Sequence, residues 1–235
     1  MQKRTKIITA SILAGVLALG ATAAIAGPIV YRDLIVGEAD AAPSVTVSPT
    51  ETGAADAPGE PGDLSGAWVV GDGSFAGYRV DEVLNGTDVT VTGRTEEVTG
   101  ELAVDGLTLT AASFTVDVAS IATDSGNRDE YFRSNAMRTD EFPTATFVLT
   151  EPIAVDTAPA VGEVQTITAT GELTLAGVAK TVTVELEAVL NGAGGQVAGS
   201  IPITFADFGI EAPDLGFVSV EPDGFVEFSL ELERG

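Results

Sequence analysis

Carboxylates are the side chains in this sequence with the greatest capacity for chemistry. The chain has 35 Asp and Glu residues and neither cysteine nor histidine. Two carboxylates in a cleft can act as general acid and general base, as they do in glycoside hydrolysis. With so many acidic residues, however, pairs arise at any spacing by chance, and no nucleophile elbow or phosphate-binding glycine loop accompanies them. The sequence therefore predicts no catalytic residues, and a carboxylate-dependent hydrolase remains the less favoured alternative.

The missing residue types exclude further classes of site. Without cysteine and histidine there are no structural disulfides, thiolate nucleophiles, Cys/His zinc sites or His-dependent triads. The acidic string from Asp124 to Glu130 lacks the ligand spacing and glycine position of an EF-hand, and Arg128 interrupts it. We therefore expect no metal site and no cofactor.

Two arginines in this same region could bind an anion. The guanidinium groups of Arg128 and Arg133 have the right shape for the phosphate of a lipid head group. Alternatively, either arginine could pair with Asp117, Asp124 or Asp129 and hold the segment against the rest of the fold. The acidic neighbours favour this bracing role over a free phosphate site.

The segment that carries these residues combines strand and helix patterns. Phe114, Val116 and Val118 alternate as in a strand, and a short helical pattern follows from about Arg128 to Met137. Thr123 or Asp124 is the expected N-cap of that helix. Its apolar side chains would share one face and pack as a lid or plug; they are Tyr131, Phe132, Ala136 and Met137.

Most of the remaining sequence alternates between apolar and polar residues, which predicts antiparallel strands with one dry and one wet face. The apolar positions include Val89 and Val91; Ile167, Ala169, Gly171, Leu173 and Leu175; Val182, Val184, Leu186 and Ala188; and Val226, Phe228, Leu230 and Leu232. Hairpin turns are expected at Asp72-Gly73, Asn85-Gly86, Asp105-Gly106, Asn191-Gly192 and Asp223-Gly224. An antiparallel barrel or a sandwich satisfies this pattern. Because many inward residues are small, a barrel of about eight strands could be hollow.

Several motifs occur together in this order: S-I-x-T-x-S-x-x-R-D at Ser120 to Asp129, Arg133-Ser134, F-P-T-x-T-F at Phe142 to Phe147, G-x-L-T-L-x-G-V-x-K at Gly171 to Lys180, and Asp207-Phe208-Gly209-Ile210. With them the chain resembles the YceI-like family of lipid-binding proteins from about Ser65 to Glu233. The resemblance implies an all-β, lipocalin-like antiparallel barrel that holds a long isoprenoid-type lipid without catalysis. Met137 stands where the family often has consecutive phenylalanines, which affects the chain length that would fit.

A hollow barrel with an apolar ligand gives a set of candidate contacts. The aromatic and small residues expected to line the ligand site are Trp68, Tyr78, Phe114, Phe147, Ala169, Phe205, Phe208 and Phe217, with Phe228 adding further apolar area. Phe132 and Met137 would cap one end from the helical insert. If the alternative of a filled core holds instead, the same residues are ordinary core side chains of a structural or adhesive module.

The amino-terminal region predicts export. Basic residues within 1–6 precede an uncharged apolar run at 7–31, long enough to cross a bilayer as a helix with the cations on the cytoplasmic side. The competing interpretation is a signal sequence cleaved after Ala26, at the pattern Ala24-Ile25-Ala26. Residues 32–64 have the composition of a flexible acidic linker, and residues 65–235 form the predicted domain. The first interpretation gives a single-pass membrane protein with an extracytoplasmic domain, the second a secreted one.

The net charge of −24 bears on the partners of the domain. An acidic body of this kind repels nucleic acid, and it also repels anionic bilayer surfaces. The expected partners are therefore an apolar lipid and, through the amino-terminal helix, a membrane. The charge also favours solubility, whatever the function.

Overall fold

The computed structural model describes residues 39–47, 63–192 and 194–235, most of them in one antiparallel sheet. Its strands are β1 (Gly66–Val70), β2 (Phe75–Leu84), β3 (Thr87–Thr95), β4 (Val98–Asp105), β5 (Thr108–Asp117), β6 (Thr144–Leu149), β7 (Ile153–Ala154), β8 (Gln165–Leu175), β9 (Val178–Asn191), β10 (Gly194–Thr204) and β11 (Val218–Arg234). One short helix, α1 (Gly126–Tyr131), continues into a π-helical turn at Phe132–Ala136. Two 3₁₀ turns cover Val118–Ser120 and Phe205–Phe208.

Eight of the strands close into a barrel. The order β1-β4-β5-β6-β8-β9-β10-β11 returns to β1, because the end of β11 pairs with β1 through Trp68 and Arg234. The earlier part of β11 pairs with β2, and β2 pairs with β3. The predicted all-β antiparallel barrel with a short helical insert is confirmed, and the sandwich alternative is wrong because the sheet closes on itself.

The two-residue period predicted the inward face correctly. Ala169 of β8 pairs with Val184 of β9, and Gly199 of β10 pairs with Phe228 of β11, so apolar residues of neighbouring strands point into the same interior. Their polar neighbours, such as Thr168 and Glu185, point outward. A one-residue slip would reverse every side chain, so the burial of one face fixes the register.

Hairpin turns occur at four of the five predicted dipeptides, although Asp105 and Asn191 are still paired strand residues and the turn begins at the glycine that follows each. Asn85-Gly86, for example, has positive φ at both residues and joins β2 to β3. Asp223-Gly224 is different: it lies inside β11 beside a β-bulge, and Asp223 still pairs with Thr204 of β10. The prediction of a turn there is wrong. The turn between β8 and β9 is Ala176-Gly177, and the sequence does not predict it because alanine seldom adopts positive φ.

The insert between β5 and β6 closes one end of the barrel. Met137, Val118 and Ile121 are buried there against Phe208 and Leu175. The predicted N-cap is wrong: Ser125 occupies that position without a side-chain bond. The Thr123 hydroxyl instead donates to the buried carboxylate of Asp129 over 2.7 Å, which fixes the loop before α1 rather than the helix itself.

Residues 39–47 form an extended strap across the outside of the barrel. Its first part accepts hydrogen bonds from Arg79 at the Asp40 carbonyl (2.6 Å) and from Arg94 at the Ala41 carbonyl (2.8 Å). Its last part donates from the Thr46 amide to Gln196 Oε1 (2.6 Å). This part of the predicted flexible linker at 32–64 is therefore bonded to strands β2, β3 and β10. The rest of the linker up to residue 62, residues 32–38 and 48–62, lies outside the described residues.

The strap lies over an outward-facing ion pair. Arg79 Nε and Glu227 Oε1 are 2.6 Å apart, and Glu227 is only 2% exposed although it points away from the interior. Arg94 is 3.9 Å from the same carboxylate. The strap and the two guanidinium groups thus leave little water contact at the outer face of β11.

No helix in the described ranges is both long and apolar enough to span a membrane. The predicted anchor at residues 7–31, like the basic end at residues 1–6, lies outside the described residues.

Candidate ligand-binding site

The barrel interior contains an apolar cavity of about 280 Å³. This volume is close to the lower end of the range of roughly 300–1,000 Å³ that small-molecule sites have. Side chains from both halves of the barrel line it, among them Trp68, Leu102, Phe114, Phe147, Val184 and Leu230. The polar residues that border the cavity are Thr146, Gln165 and Gln196, and the side chain of Gln196 bonds to the strap on the outside. The lining includes no Asp, Glu, Lys or Arg from the part of the chain that the structure describes. The cavity therefore suits an uncharged, apolar group.

The cavity opens at one end of the barrel. The lining residues at that end come from the segment before β1, the β4–β5 turn, the β7–β8 loop and the end of β9; they are Leu64, Leu107, Pro159 and Leu190. Leu107 is 38% exposed, so apolar surface continues from the cavity to the solvent. The helical insert blocks the opposite end. A ligand would therefore enter past these four residues.

Four of the ten predicted contacts line the cavity: Trp68, Phe114, Phe147 and Ala169. Trp68 and Ala169 are buried, while the two phenylalanine side chains are half-buried because they border empty space. All four residues are at inward positions of the alternating pattern, and the size of each side chain allows it to border the cavity.

Four further predicted contacts belong to the closed end instead. The rings of Tyr78 and Phe132 stack with their centroids 4.9 Å apart, and Met137 and Phe208 are buried beside them. Burial raises the pKa of the Tyr78 hydroxyl above its ordinary value. Phe132 and Met137 thus lie at the closed end of the barrel, where they pack with the insert and do not border the cavity.

Phe205 and Phe217 lie away from the cavity. The Phe205 ring is next to Gly224, in the 3₁₀ turn that follows β10. Phe217 is 59% exposed in the segment before β11, where its carbonyl accepts a bond from the Asn85 amide. Both residues stand between strands, so the alternating pattern gives no direction for their side chains.

Some lining residues were absent from the predicted set. The rim residues Leu64, Leu107, Pro159 and Leu190 belong to turns and strand ends, where the sequence has no periodic signal. Leu102 and Ala112 do lie within β4 and β5 and pack with Trp68. In β4, Glu101 and Ala103 share one face, and Leu102 and Val104 share the other. This difference in polarity is too weak to identify the inward face from the sequence.

Arg128 is a brace between the insert and the barrel. Its Nη2 is 3.1 Å from Glu82 Oε1 of β2, and its Nη1 is 2.6 Å from Asp124 Oδ1. Burial by itself lowers the pKa of Arg128, but the charges of Glu82 and Asp124 outweigh it and raise the pKa. Arg133 contacts only the exposed Glu130 among the described acidic residues, at 3.8 Å. Neither arginine borders the apolar cavity.

The described residues offer no group of three Asp or Glu side chains arranged to hold a metal ion. Arg128 and its two carboxylates are already paired with each other. The charged side chains of this region therefore pair with each other and hold the insert against the barrel.

Comparisons with known proteins agree with this architecture. The family model of the YceI-like domain matches residues 69–232. A solved polyisoprenoid binding domain from Saccharophagus degradans, implicated in plant cell wall breakdown, is 21% identical with a TM-score of 0.59, over 72% of this chain and 98% of that one. The crystal structure of Burkholderia cenocepacia BcnA is 24% identical with a TM-score of 0.52, over 66% of this chain and 95% of that one. No curated protein matches the chain.

Proposed function

Since this chain belongs to the YceI-like domain family, we propose that its barrel binds a long apolar lipid of the isoprenoid type without catalysing a reaction. The observation that carries the proposal is the apolar cavity without charged lining residues in the described structure. Each buried methylene contributes about 0.8 kcal/mol, so a chain of several isoprene units needs no strong polar anchor.

The similar domain from Saccharophagus degradans is a polyisoprenoid binding domain, which supports an isoprenoid as the ligand class. The lining of this cavity supports the same class, because it is apolar and continues to the apolar residues at the open end. The polar end of the ligand would remain at the mouth beside Leu64 and Leu107. Binding of this kind serves storage, sequestration or transfer of a lipid.

We further propose that the protein works at the cell envelope. The basic residues before the apolar run at 7–31 support a single-pass anchor with the barrel on the extracytoplasmic side. Cleavage after Ala26 would release the same domain. In either case the barrel would exchange lipid outside the cytoplasm.

The proposal is tested by isolating the full chain from its host under mild conditions and measuring its mass in the native state. Organic extraction and mass analysis then identify any released molecule. We expect one apolar lipid per barrel. A protein that is isolated empty, and that stays empty when it is offered polyprenyl lipids, would instead favour the structural or adhesive module.

A matched pair of variants separates lipid loss from unfolding. Ala169 lines the cavity, whereas Thr168 next to it points outward. We expect Ala169→Phe to fill the cavity and abolish lipid retention, and Thr168→Phe to retain the lipid. Circular dichroism checks that both variants fold, since overpacking a core costs about 1–3 kcal/mol.

A further inference from the structure

Three glycines in the barrel wall lie directly beneath phenylalanine rings. A Cβ atom at Gly100 would be 2.4 Å from Cδ1 of Phe114, and one at Gly171 would be 2.2 Å from Cζ of Phe147. At Gly199 the corresponding distance to Cζ of Phe228 is 2.8 Å. Each ring therefore occupies the space that any other residue's side chain would need.

The strand register creates these contacts. Gly100 pairs directly with Phe114 across β4 and β5, and Gly199 pairs directly with Phe228 across β10 and β11. Phe147 pairs with Leu173, so its ring reaches Gly171 diagonally on β8. Side chains on paired strands are close enough for aromatic rings to make both kinds of contact.

The three rings lie against the wall and leave the centre of the barrel open. All three phenylalanines line the cavity, whereas the glycines beneath them do not. The backbone at the glycines is not left-handed, so conformational freedom does not explain these residues. Glycine is required at these positions because it has no side chain, which allows the phenylalanine ring to approach the backbone closely.

We propose that these phenylalanine–glycine pairs set the bore of the barrel and select its ligand by cross-section. This inference rests on the proposed function as a binder of apolar chains. With the rings against the wall, the bore accepts a slender chain that carries methyl branches. We therefore expect the bore to reject a flat fused-ring lipid. The glycines are thus specificity-determining residues although they do not touch the ligand.

Gly199 is the best position for a test. A methyl group there meets only side chains, Phe228 at 2.8 Å and Leu186 Cβ at 3.2 Å. At Gly100 and Gly171 it would also meet a backbone oxygen, of Ser113 at 2.6 Å and Val148 at 2.7 Å, so the strands themselves would move. Because the wall lies behind the Phe228 ring, Gly199→Ala moves that ring toward the centre of the bore.

The experiment compares binding of two probes with the same number of carbons, an all-trans polyprenol and a saturated linear alcohol. We expect Gly199→Ala to weaken polyprenol binding about tenfold or more, since one methylene in an apolar pocket changes binding by roughly 10–200-fold. The linear alcohol, which has no branches, should lose about threefold or less on the same scale.

Two further variants complete the test. Gly126 of α1 does not line the cavity, and an added Cβ there would have nothing within 4 Å. Gly126→Ala therefore adds a methyl group outside the bore without moving a ring, and should leave both affinities, and so their ratio, unchanged. Phe228→Leu should widen the bore and admit a sterol that the unaltered protein rejects, whether alone or combined with Gly199→Ala.

The outcomes distinguish this inference from the function on which it rests. If the unaltered protein binds neither alcohol, the proposed function fails. If it binds both, and neither Gly199→Ala nor Phe228→Leu changes the selectivity, the function stands and the bore is set elsewhere. If Gly199→Ala does not fold, the result with Phe228→Leu alone decides, because removing ring atoms creates no clash.

Discussion

The role of Arg128 is decided by the carboxylates around it. Glu82 is 4% exposed and points into the barrel, so its charge requires a partner. Arg128 supplies that partner from the insert and also contacts Asp124. The guanidinium group is therefore occupied by protein carboxylates and is separate from the cavity. This geometry supports the brace over the head-group site.

We predict that Arg128→Met destabilises the protein and leaves lipid binding unchanged. Removing one partner of a buried pair costs roughly 3–5 kcal/mol, and the partial exposure of Arg128 places our expectation at about 3 kcal/mol. Urea unfolding measures the loss, and titration with a polyprenol measures binding.

Arg133→Met is the matched control for this prediction. Arg133 contacts Glu130 at 3.8 Å and that carboxylate is exposed, so we expect a loss of about 0.5 kcal/mol or less. The head-group site would be supported instead if Arg128→Met were as stable as the unaltered protein and lost much of its affinity for a lipid phosphate.

At this scale the sequence predicted near neighbours better than distant ones. Asp124 was among the expected partners of Arg128 because it is one helical turn away. Glu82 was not, because its inward direction depends on the register of β2 against β3 and β11. The phenylalanine–glycine pairs were missed for the same reason. Each half of a pair is visible in the sequence, but the contact depends on the pairing of strands.

The insert is also held at its second end, where Phe142 packs on the β8–β9 turn. A Cβ at Gly177 would lie 2.4 Å from Cε1 of the Phe142 ring. Arg138 in turn lies over that ring, with its Cζ 5.1 Å from the centroid. The F-P-T-x-T-F and G-x-L-T-L-x-G motifs therefore meet in space at the closed end of the barrel.

We predict that Gly177→Ala is more destabilising than Gly86→Ala. Both glycines have φ of +79°, and both are second in a two-residue turn, so each variant pays about 1–2 kcal/mol for the left-handed conformation. Gly86 has open space where its Cβ would be, whereas Gly177 has the Phe142 ring. The clash should add about 1–3 kcal/mol.

Thermal unfolding of the two variants measures this difference directly. Equal losses would mean that the Phe142 ring moves aside without cost, and the contact would then have no part in holding the insert. A larger loss for Gly177→Ala that disappears in a Phe142→Ala background would establish the contact by a double-mutant cycle.

Local patterns account for the barrel strands but not for the strap. Alternation identifies a strand because burial acts on every second side chain. The strap at residues 39–47 is instead held through backbone groups such as the Thr46 amide and the Asp40 carbonyl. Composition describes side chains, so it predicted a linker there. The same limit explains the bulge at Asp223-Gly224, which looks like a turn in sequence but keeps its pairing to β10.

The hollow interior is a property of the whole barrel. Small inward residues such as Ala169 and Val184 suggested free volume, but a flattened sandwich would have removed it. Closure of β1 onto β11 fixes the circumference, and the three phenylalanines then lie against the wall instead of meeting at the centre. The cavity therefore depends jointly on strand number and on the glycines, and only the first was predicted.

Charge acts on the whole molecule as well. Of the 11 Lys and Arg and the 35 Asp and Glu, seven and 29 respectively lie in residues 63–235, a net charge of −22 for the barrel. Such a body is repelled by an anionic bilayer, and the repulsion extends over about 30 Å at 0.01 M salt but only about 3 Å at 1 M. Lipid transfer that requires contact with a bilayer should depend on this repulsion.

We predict that the lipid-loaded protein, as residues 39–235, transfers its ligand to neutral vesicles faster than to anionic ones at 0.01 M salt. The expected ratio is about tenfold, since electrostatic effects on encounter rates span roughly 10–10³. At 1 M salt the two rates should converge. A fluorescent polyprenyl analogue with a quencher in the acceptor vesicles measures both. Equal rates at low salt would show that the ligand leaves through water, without contact between barrel and bilayer.

Acidic residues at the open and closed ends of the barrel show which end approaches a bilayer. Asp105 ends β4 at the open end of the barrel, and Asp156 and Glu163 lie in the β7–β8 loop at the same end. Neutralising them as Asp105→Asn, Asp156→Asn and Glu163→Gln removes charge where a bilayer would approach. The matched control neutralises Asp140, Glu141 and Asp207 near the closed end, with the same change in net charge. If the barrel docks by its mouth, only the first set should bring the low-salt rates together. Equal effects would mean that net charge alone governs the encounter, and a larger effect of the second set would place the exit at the insert.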